Sequence, residues 1–123
     1  MSKQIGVGVI SLGWMGRLHA RSYRALAERY QGLEAAVRLL AARDEAVAAL
    51  GFERAYADYR ELLADPDVDV VSICSPNFLH HEIALAAIAA GKPLWIEKPM
   101  GVSAAQSREI AEAAEAAGLI TAT

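Results

Sequence analysis

One cysteine, Cys74, is the whole thiol content of the 123 residues. An internal disulfide is excluded, and the compartment expected on that ground is the cytoplasm. Basic charge is also scarce. Lysine and arginine number 12 against 15 acidic residues, a net charge of −3, which leaves no footprint for nucleic acid or an anionic membrane. There is no run of about 18 apolar residues, so no membrane span is expected. The start, Met1-Ser2-Lys3-Gln4, lacks the apolar core and cleavage site of a secretory leader. Histidines number three, and the adjacent pair His80-His81 has no nearby cysteine or spaced carboxylate, so no metal site is expected.

Apolar residues make up 54% of the chain, which argues for a globular protein with a core rather than disorder. The length suits one domain. Residues 4–10 read as a buried strand that ends in a turn. A helix over about residues 14–30 follows, with Met15, Leu18, His19, Ser22, Ala25, Leu26 and Ala27 mostly on one side and Arg17, Arg21, Arg24, Glu28 and Arg29 on the other. Residues 33–50 admit two readings. Val37 to Ala42 could be a second strand with Arg43-Asp44 at its tip. Alternatively the whole segment is a helix, since Ala, Leu, Glu and Arg dominate it and Gly51 follows as a stop. The composition favours the helix. Ala55 to Ala57 reads as a short strand, and Asp58 caps a short helix that stops before Pro66. Strands are expected at 69–74 and 93–97, a helix from Leu79 to Ala90, and a helix after the cap Ser103, with Gln106 in the capping-box position. Leu119 to Thr123 begins a last strand. Alternating strands and helices imply a parallel sheet with right-handed crossovers.

Three motifs carry chemistry. Ser11-Leu12-Gly13-Trp14-Met15-Gly16 lies between a strand and a helix, the context of a dinucleotide-binding turn. Gly13 would let the backbone approach a pyrophosphate, Gly16 would let helix and strand pack closely, and the helix N-terminus would supply N–H groups to the anion. The plainer reading is a tight turn that needs small residues for geometry only. Ser75-Pro76-Asn77 follows the strand at 69–74. Pro76 fixes a turn there, Asn77 can bond through its side chain, and His80 opens the next helix while His81 falls on the surface. Glu97-Lys98-Pro99 sits at the carboxyl end of another strand, where ligands gather in open α/β sheets. Lys98 could serve a reacting oxygen there, or merely pair with Glu97. An acidic residue beyond the glycines would hold a ribose hydroxyl. Glu34 and Asp44 are the candidates. Under the strand reading Asp44 favours NAD, whereas Arg43 could accommodate a 2′-phosphate; under the helix reading both are surface residues. Trp14 and Trp95 are expected to pack, with Trp14 worth watching inside the glycine turn, and Cys74 is expected to be an inert core thiol.

Together the stretches Gly8 to Ala20, Ser75 to His80 and Glu97 to Met100 resemble the glucose–fructose oxidoreductase, inositol dehydrogenase and MocA family. The segments Asp65-Pro66-Asp67-Val68-Asp69 and Ala90-Gly91-Lys92-Pro93 are similar to it as well. The resemblance covers nearly the whole chain except residues 33–50. It implies a Rossmann domain binding NAD or NADP, with a doubly wound parallel sheet in three αβα layers. It also implies hydride transfer on a sugar, cyclitol or related polyol. By the resemblance Leu12, Gly13, Trp14, Met15 and Gly16 would line the pyrophosphate. Ser75, Pro76, Asn77 and His80 would lie along the cofactor. Glu97 and Lys98 would sit near the nicotinamide, with Lys98 polarising the substrate oxygen.

The sequence departs from that pattern in three places. Ser11 replaces the first glycine. The second strand looks shortened or merged into residues 33–50, as if about ten residues were missing and the sheet lacked an inner strand. The family's second domain, source of the aspartate and histidine that partner the lysine, is not within these residues. The expectation is therefore the cofactor-binding part of an oxidoreductase over residues 1–123, not competent alone. The alternatives are a dinucleotide-binding module without catalysis, or a Rossmann fragment that binds nothing. An incomplete sheet would expose an edge, which gives an argument for association with a second copy.

Overall fold

A computed structural model of the protein describes residues 4–29, 37–42 and 51–123. Six strands form one parallel sheet: β1 (Ile5–Ile10), β2 (Val37–Ala42), β3 (Arg54–Ala55), β4 (Val70–Ile73), β5 (Leu94–Ile96) and β6 (Thr121–Ala122). Their spatial order is β3-β2-β1-β4-β5-β6. Among the described residues the helices are α1 (Trp14–Arg29), α2 (Tyr59–Ala64), α3 (His80–Ala89) and α4 (Ala104–Ala117). A 3-10 turn over Asn77–Leu79 leads into α3.

The expected helix over residues 33–50 is overturned at its centre. Val37–Ala42 is a strand, paired with β1 from Ile5 opposite Val37 to Val9 opposite Ala42, with one irregularity between Val7 and Gly8. Local propensity favours a helix here, but a parallel partner on each side supplies the backbone hydrogen bonds, and pairing overrides propensity. The inner strand is therefore present and the sheet is not shortened there. Residues 33–36 and 43–50, with Glu34, Arg43 and Asp44, lie outside the described residues. The expected association with a second copy took a missing inner strand as its premise, and that premise does not hold.

Alternation along β1 builds the layers. Val7 and Val9 face α1 and pack with Leu12, Ala20 and Phe52. Ile10 turns to the other face and joins the larger cluster of Leu62, Ile73, Ile83, Ile96 and Ile110 from α2, β4, α3, β5 and α4. Each fully buried isoleucine of this kind contributes about 1.5–3 kcal/mol relative to exposure. The inward stripe of α1 differs from the one expected: Gly16 and Ala20 are buried and Tyr23 is half-buried, while Leu18 and Ser22 are exposed. Small residues at 16 and 20 let the helix approach the sheet.

The helix ends behave as the sequence suggests. The Asp58 carboxylate accepts from Arg60 N, and the Ser103 hydroxyl from Gln106 N. The Gln106 side chain reaches one residue further than a capping box requires and accepts from Val102 N at 3.1 Å. Gly118 ends α4 with φ +67°. Among the described residues no helix is long and apolar enough to cross a membrane.

The amino-terminal edge of the sheet is tied by charge. Asp65, 5% exposed, accepts both oxygens' worth of bonds from Arg54 Nη1 at 2.9 and 2.7 Å, one from Tyr56 Oη at 2.9 Å and one from Asp67 N at 2.9 Å. Lys92 Nζ donates to the carbonyls of Asp65 and Val68 at 3.0 and 2.5 Å. Burial pushes the Asp65 carboxyl up, but the Arg54 guanidinium, the Asp67 N–H and the Tyr56 hydroxyl outweigh it and hold the group below its ordinary range.

Two outcomes follow from this architecture. A carboxyl with a depressed folded pKa stabilises fully above its unfolded value near about 3.9, and that contribution is lost as pH falls through the folded value. Asp65→Asn should therefore lower the urea midpoint at pH 7, by about 1–3 kcal/mol, and the gap to the parent should shrink as pH drops below 4. A gap independent of pH would show that shape rather than charge holds this corner. Ser11 adopts φ +74°, a left-handed conformation that costs a side-chain-bearing residue about 1–2 kcal/mol. Set against the extra chain entropy of glycine, about 0.5–1 kcal/mol, Ser11→Gly should stabilise by about 0.5–1 kcal/mol in the same titration. A loss of stability would mean that the serine side chain makes a contact worth more than the backbone relief.

Candidate functional site

Sheet order reverses between β1 and β4: the chain leaves β1 toward β2 on one side and leaves β4 toward β5 on the other. Crossovers that diverge at neighbouring strands leave a crevice at their carboxyl ends. A cavity of about 280 Å³ lies there, lined by Trp14, Met15, Cys74, Ser75, Asn77, His80, Glu97 and Lys98. Three loops thus deliver the three sequence motifs to one place.

The glycine turn is shaped from both sides. A Cβ on Gly16 would stand 1.9 Å from the Ser11 carbonyl oxygen, so only glycine fits against the end of β1. A Cβ on Gly13 would meet nothing within 4 Å, which leaves that side of the turn open. Arg17 N bonds Gly13 O at 3.0 Å, and Arg17 Nε donates to Leu12 O at 3.0 Å. The first intrahelical bond is thus made by Arg17, and the N–H groups ahead of it, from Trp14 to Gly16, have no acceptor within the helix. They are available to an anion. The Leu12 side chain is buried in the core beside Val7 and Val9, so Leu12 can offer the site only its backbone. Trp14 is 80% exposed and is not the packing residue expected.

In the second motif Pro76 and Asn77 are exposed, and Leu79 N closes the turn on Pro76 O at 3.0 Å. The Ser75 side chain differs from every other buried polar group here. Its Oγ is the one buried side-chain oxygen or nitrogen among the described residues without a hydrogen-bond partner. A buried hydroxyl left unpaired costs about 1–3 kcal/mol, and this one borders the cavity. His80 is fully buried. Its Nδ1 lies 2.7 Å from Pro99 O and its Nε2 2.8 Å from Ser75 O. Both partners accept only. A neutral imidazole can donate to one of them and an imidazolium to both. The ring nitrogens are therefore committed to tying the second motif to the third. His81 lies apart, bonded to Glu109 at 2.8 Å.

In the third motif Lys98 is exposed and, among the described residues, carries no ion pair. Glu97 bonds His19 Nε2 at 2.6 Å instead. Burial and then the Glu97 charge push the Cys74 thiol up to about 12, so it stays protonated and a poor nucleophile. The Lys98–Pro99 peptide is cis.

Glu97 leads from the cavity to His19, Ser72 and Tyr23, which sequence reasoning did not single out. His19 Nδ1 contacts Ser72 Oγ at 3.2 Å, and Ser72 Oγ makes a short hydrogen bond with Tyr23 Oη. Burial, outweighing the Ser72 bond, pushes the Tyr23 phenol up. Two signals were present in the sequence: a histidine one turn past Gly16 on a helix, and a serine in the middle of a buried strand.

Comparison with known proteins agrees with this geometry. Residues 5–123 match the family described as oxidoreductases with an NAD-binding Rossmann fold. The chain is 40% identical over 119 residues to inositol 2-dehydrogenase of Pseudomonas syringae pv. syringae, covering 91% of this chain and 34% of that protein. It is 36% identical over 118 residues to levoglucosan dehydrogenase of Pseudarthrobacter phenanthrenivorans, covering 90% and 30%. Among solved structures, an NAD binding oxidoreductase from Klebsiella pneumoniae superposes with a TM-score of 0.92 at 45% identity, over 98% of this chain and 34% of that one. A levoglucosan dehydrogenase in complex with NADH does so at 0.90 and 31%, over 97% and 34%. The chain thus spans about a third of the length of these relatives. With a match that runs from Ile5 to the last residue, it belongs to the family of oxidoreductases that carry an NAD-binding Rossmann fold.

Proposed function

We propose that this chain is the cofactor-binding part of an NAD-dependent oxidoreductase acting in the cytoplasm on a hydroxyl-bearing carbon of a sugar, cyclitol or related polyol. The observation that carries the reading is the Ser75 hydroxyl, buried, unpaired and bordering the cavity that the glycine turn and Lys98 also line. An orphaned polar group calls for a ligand that pairs it. The donor set fits a dinucleotide. Free N–H groups from Trp14 to Gly16 suit a pyrophosphate, and open space at Gly13 lets it come close.

When bound, NAD supplies the acceptor or donor of the hydride. This chain's residues hold and orient. The backbone of Leu12 to Gly16 takes the pyrophosphate, and Ser75, Pro76 and Asn77 line the path beside it. His80 keeps Ser75 and Pro99 at fixed separation rather than touching the cofactor through its ring nitrogens. Lys98, exposed and without an ion pair among the described residues, places a cation where negative charge develops on the substrate oxygen, an arrangement that stabilises the transition state. Substrate choice and the proton-transfer histidine belong, by the family resemblance, to a second domain. The inositol and levoglucosan dehydrogenases among the relatives support a polyol or sugar as substrate class. Asp44 follows β2 by two residues in the sequence, the place of the carboxylate that holds the ribose hydroxyl in NAD-binding folds.

Ser75→Ala separates ligand from fold. It should leave the melting temperature unchanged or raise it, because no bond is lost, and should weaken NADH binding roughly tenfold, read by fluorescence titration. Unchanged affinity would take the hydroxyl out of the site. Asp44→Asn should weaken NADH roughly ten- to hundredfold and NADPH much less, since a neutral amide no longer repels a 2′-phosphate. Equal losses for both cofactors would remove Asp44 as the ribose carboxylate.

A further inference from the structure

Glu97 does not turn toward Lys98. Along β5 and past its end, Leu94 and Ile96 point into the core of α3 and α4, while Trp95 and Glu97 share the α1 face. Both meet His19 there. The Trp95 ring stands edge-on to the imidazole at 5.8 Å, and the Glu97 carboxylate accepts from Nε2 at 2.6 Å. With a neutral imidazole the hydrogens can run in one sense: Tyr23 Oη to Ser72 Oγ, Ser72 Oγ to His19 Nδ1, and His19 Nε2 to Glu97. Every acceptor is used once, and the chain ends on the carboxylate that neighbours Lys98.

Holding a helix against a sheet does not require this. Apolar side chains do it without removing a carboxylate from water, and a buried pair of this kind is weak evidence for stability. The placement suggests another role. His19 lies on α1 three residues beyond Gly16, in the helix whose first turn offers its N–H groups to the pyrophosphate. Glu97 lies next to Lys98, and both line the cavity that Trp14 and Met15 of the glycine turn also line. One hydrogen bond thus joins the helix that would hold the pyrophosphate to the loop that would lie near the nicotinamide.

We propose that His19 is a positioning residue of the hydride-transfer site: by binding Glu97 it sets the direction in which Lys98 is presented and fixes that loop relative to the glycine turn. The inference rests on the NAD-binding reading above. Tyr23 and Ser72 act behind it by fixing the ring and its tautomer.

The test combines a measurement without cofactor and one with it. In the free chain, the backbone amide resonance of Lys98 is compared between the parent and His19→Leu, which keeps a similar apolar volume against Trp95. NADH affinity is then measured by energy transfer from the tryptophans for the parent, His19→Leu, His19→Gln, Glu97→Ala and the double variant His19→Leu/Glu97→Ala. The Lys98 amide should shift in His19→Leu, and NADH binding should weaken roughly three- to thirtyfold. His19→Gln, whose amide nitrogen can occupy the Nε2 position, should recover most of the affinity, and the double variant should be no weaker than the weaker single one. The proposal is overturned if the parent binds NADH and His19→Leu binds equally well. Equal losses in Leu and Gln, or losses that multiply in the double variant, also overturn it. If His19→Leu does not fold, Glu97→Ala reads the same contact from the other partner, with parent-like affinity the contrary result. A folded parent that binds no NADH sinks the cofactor reading itself, and the role of His19 with it.

Discussion

Parallel pairing of β1 with β4 on one side and β2 on the other is the constraint on which the molecule turns. Parallel neighbours cannot be joined by a tight hairpin, so each connection must cross a face of the sheet. Where the direction of those crossings reverses, no connection covers the carboxyl ends of the strands. The cavity exists because of that reversal. The glycine turn, the serine-proline turn and the lysine loop meet there because they are the segments that leave β1, β4 and β5.

The two ends of the sheet treat polar groups in opposite ways. At the amino edge, the Asp65 carboxylate accepts four hydrogen bonds from Arg54, Tyr56 and Asp67, and the Asp65 and Val68 carbonyls are taken by Lys92. At the carboxyl edge Ser75 Oγ is unpaired, Lys98 has no counterion among the described residues, and the first N–H groups of α1 are free of the helix ladder. His80 and His19 are satisfied groups at this carboxyl end. One ties Ser75 to Pro99, the other ties α1 to Glu97, and both spend their ring nitrogens on the protein itself.

Much of this was legible in the linear chain. The strands at β1, β4 and β5 are short apolar runs that end in turn residues. The caps Asp58 and Ser103 and the stop Gly118 are local devices, readable because a cap bonds groups two or three residues away. Residues 33–50 were misread at their centre for the complementary reason. Val37–Ala42 has the composition of a helix and becomes a strand because β1 and β3 flank it, which no window along the chain contains. His19 was read as one more position on an apolar stripe, since its partner Glu97 is 78 residues away.

By itself the sequence determined the class of fold, the three turns that border the cavity and the family, because alternating apolar runs, glycines in a strand-to-helix turn and capping side chains act over short range. Tertiary structure alone decided that residues 37–42 pair as an inner strand, that Ser75 is the buried hydroxyl left open, and that Glu97 faces His19 rather than Lys98. Each of these depends on which distant residues the sheet brings within hydrogen-bonding distance, a few ångströms that sequence separation does not encode.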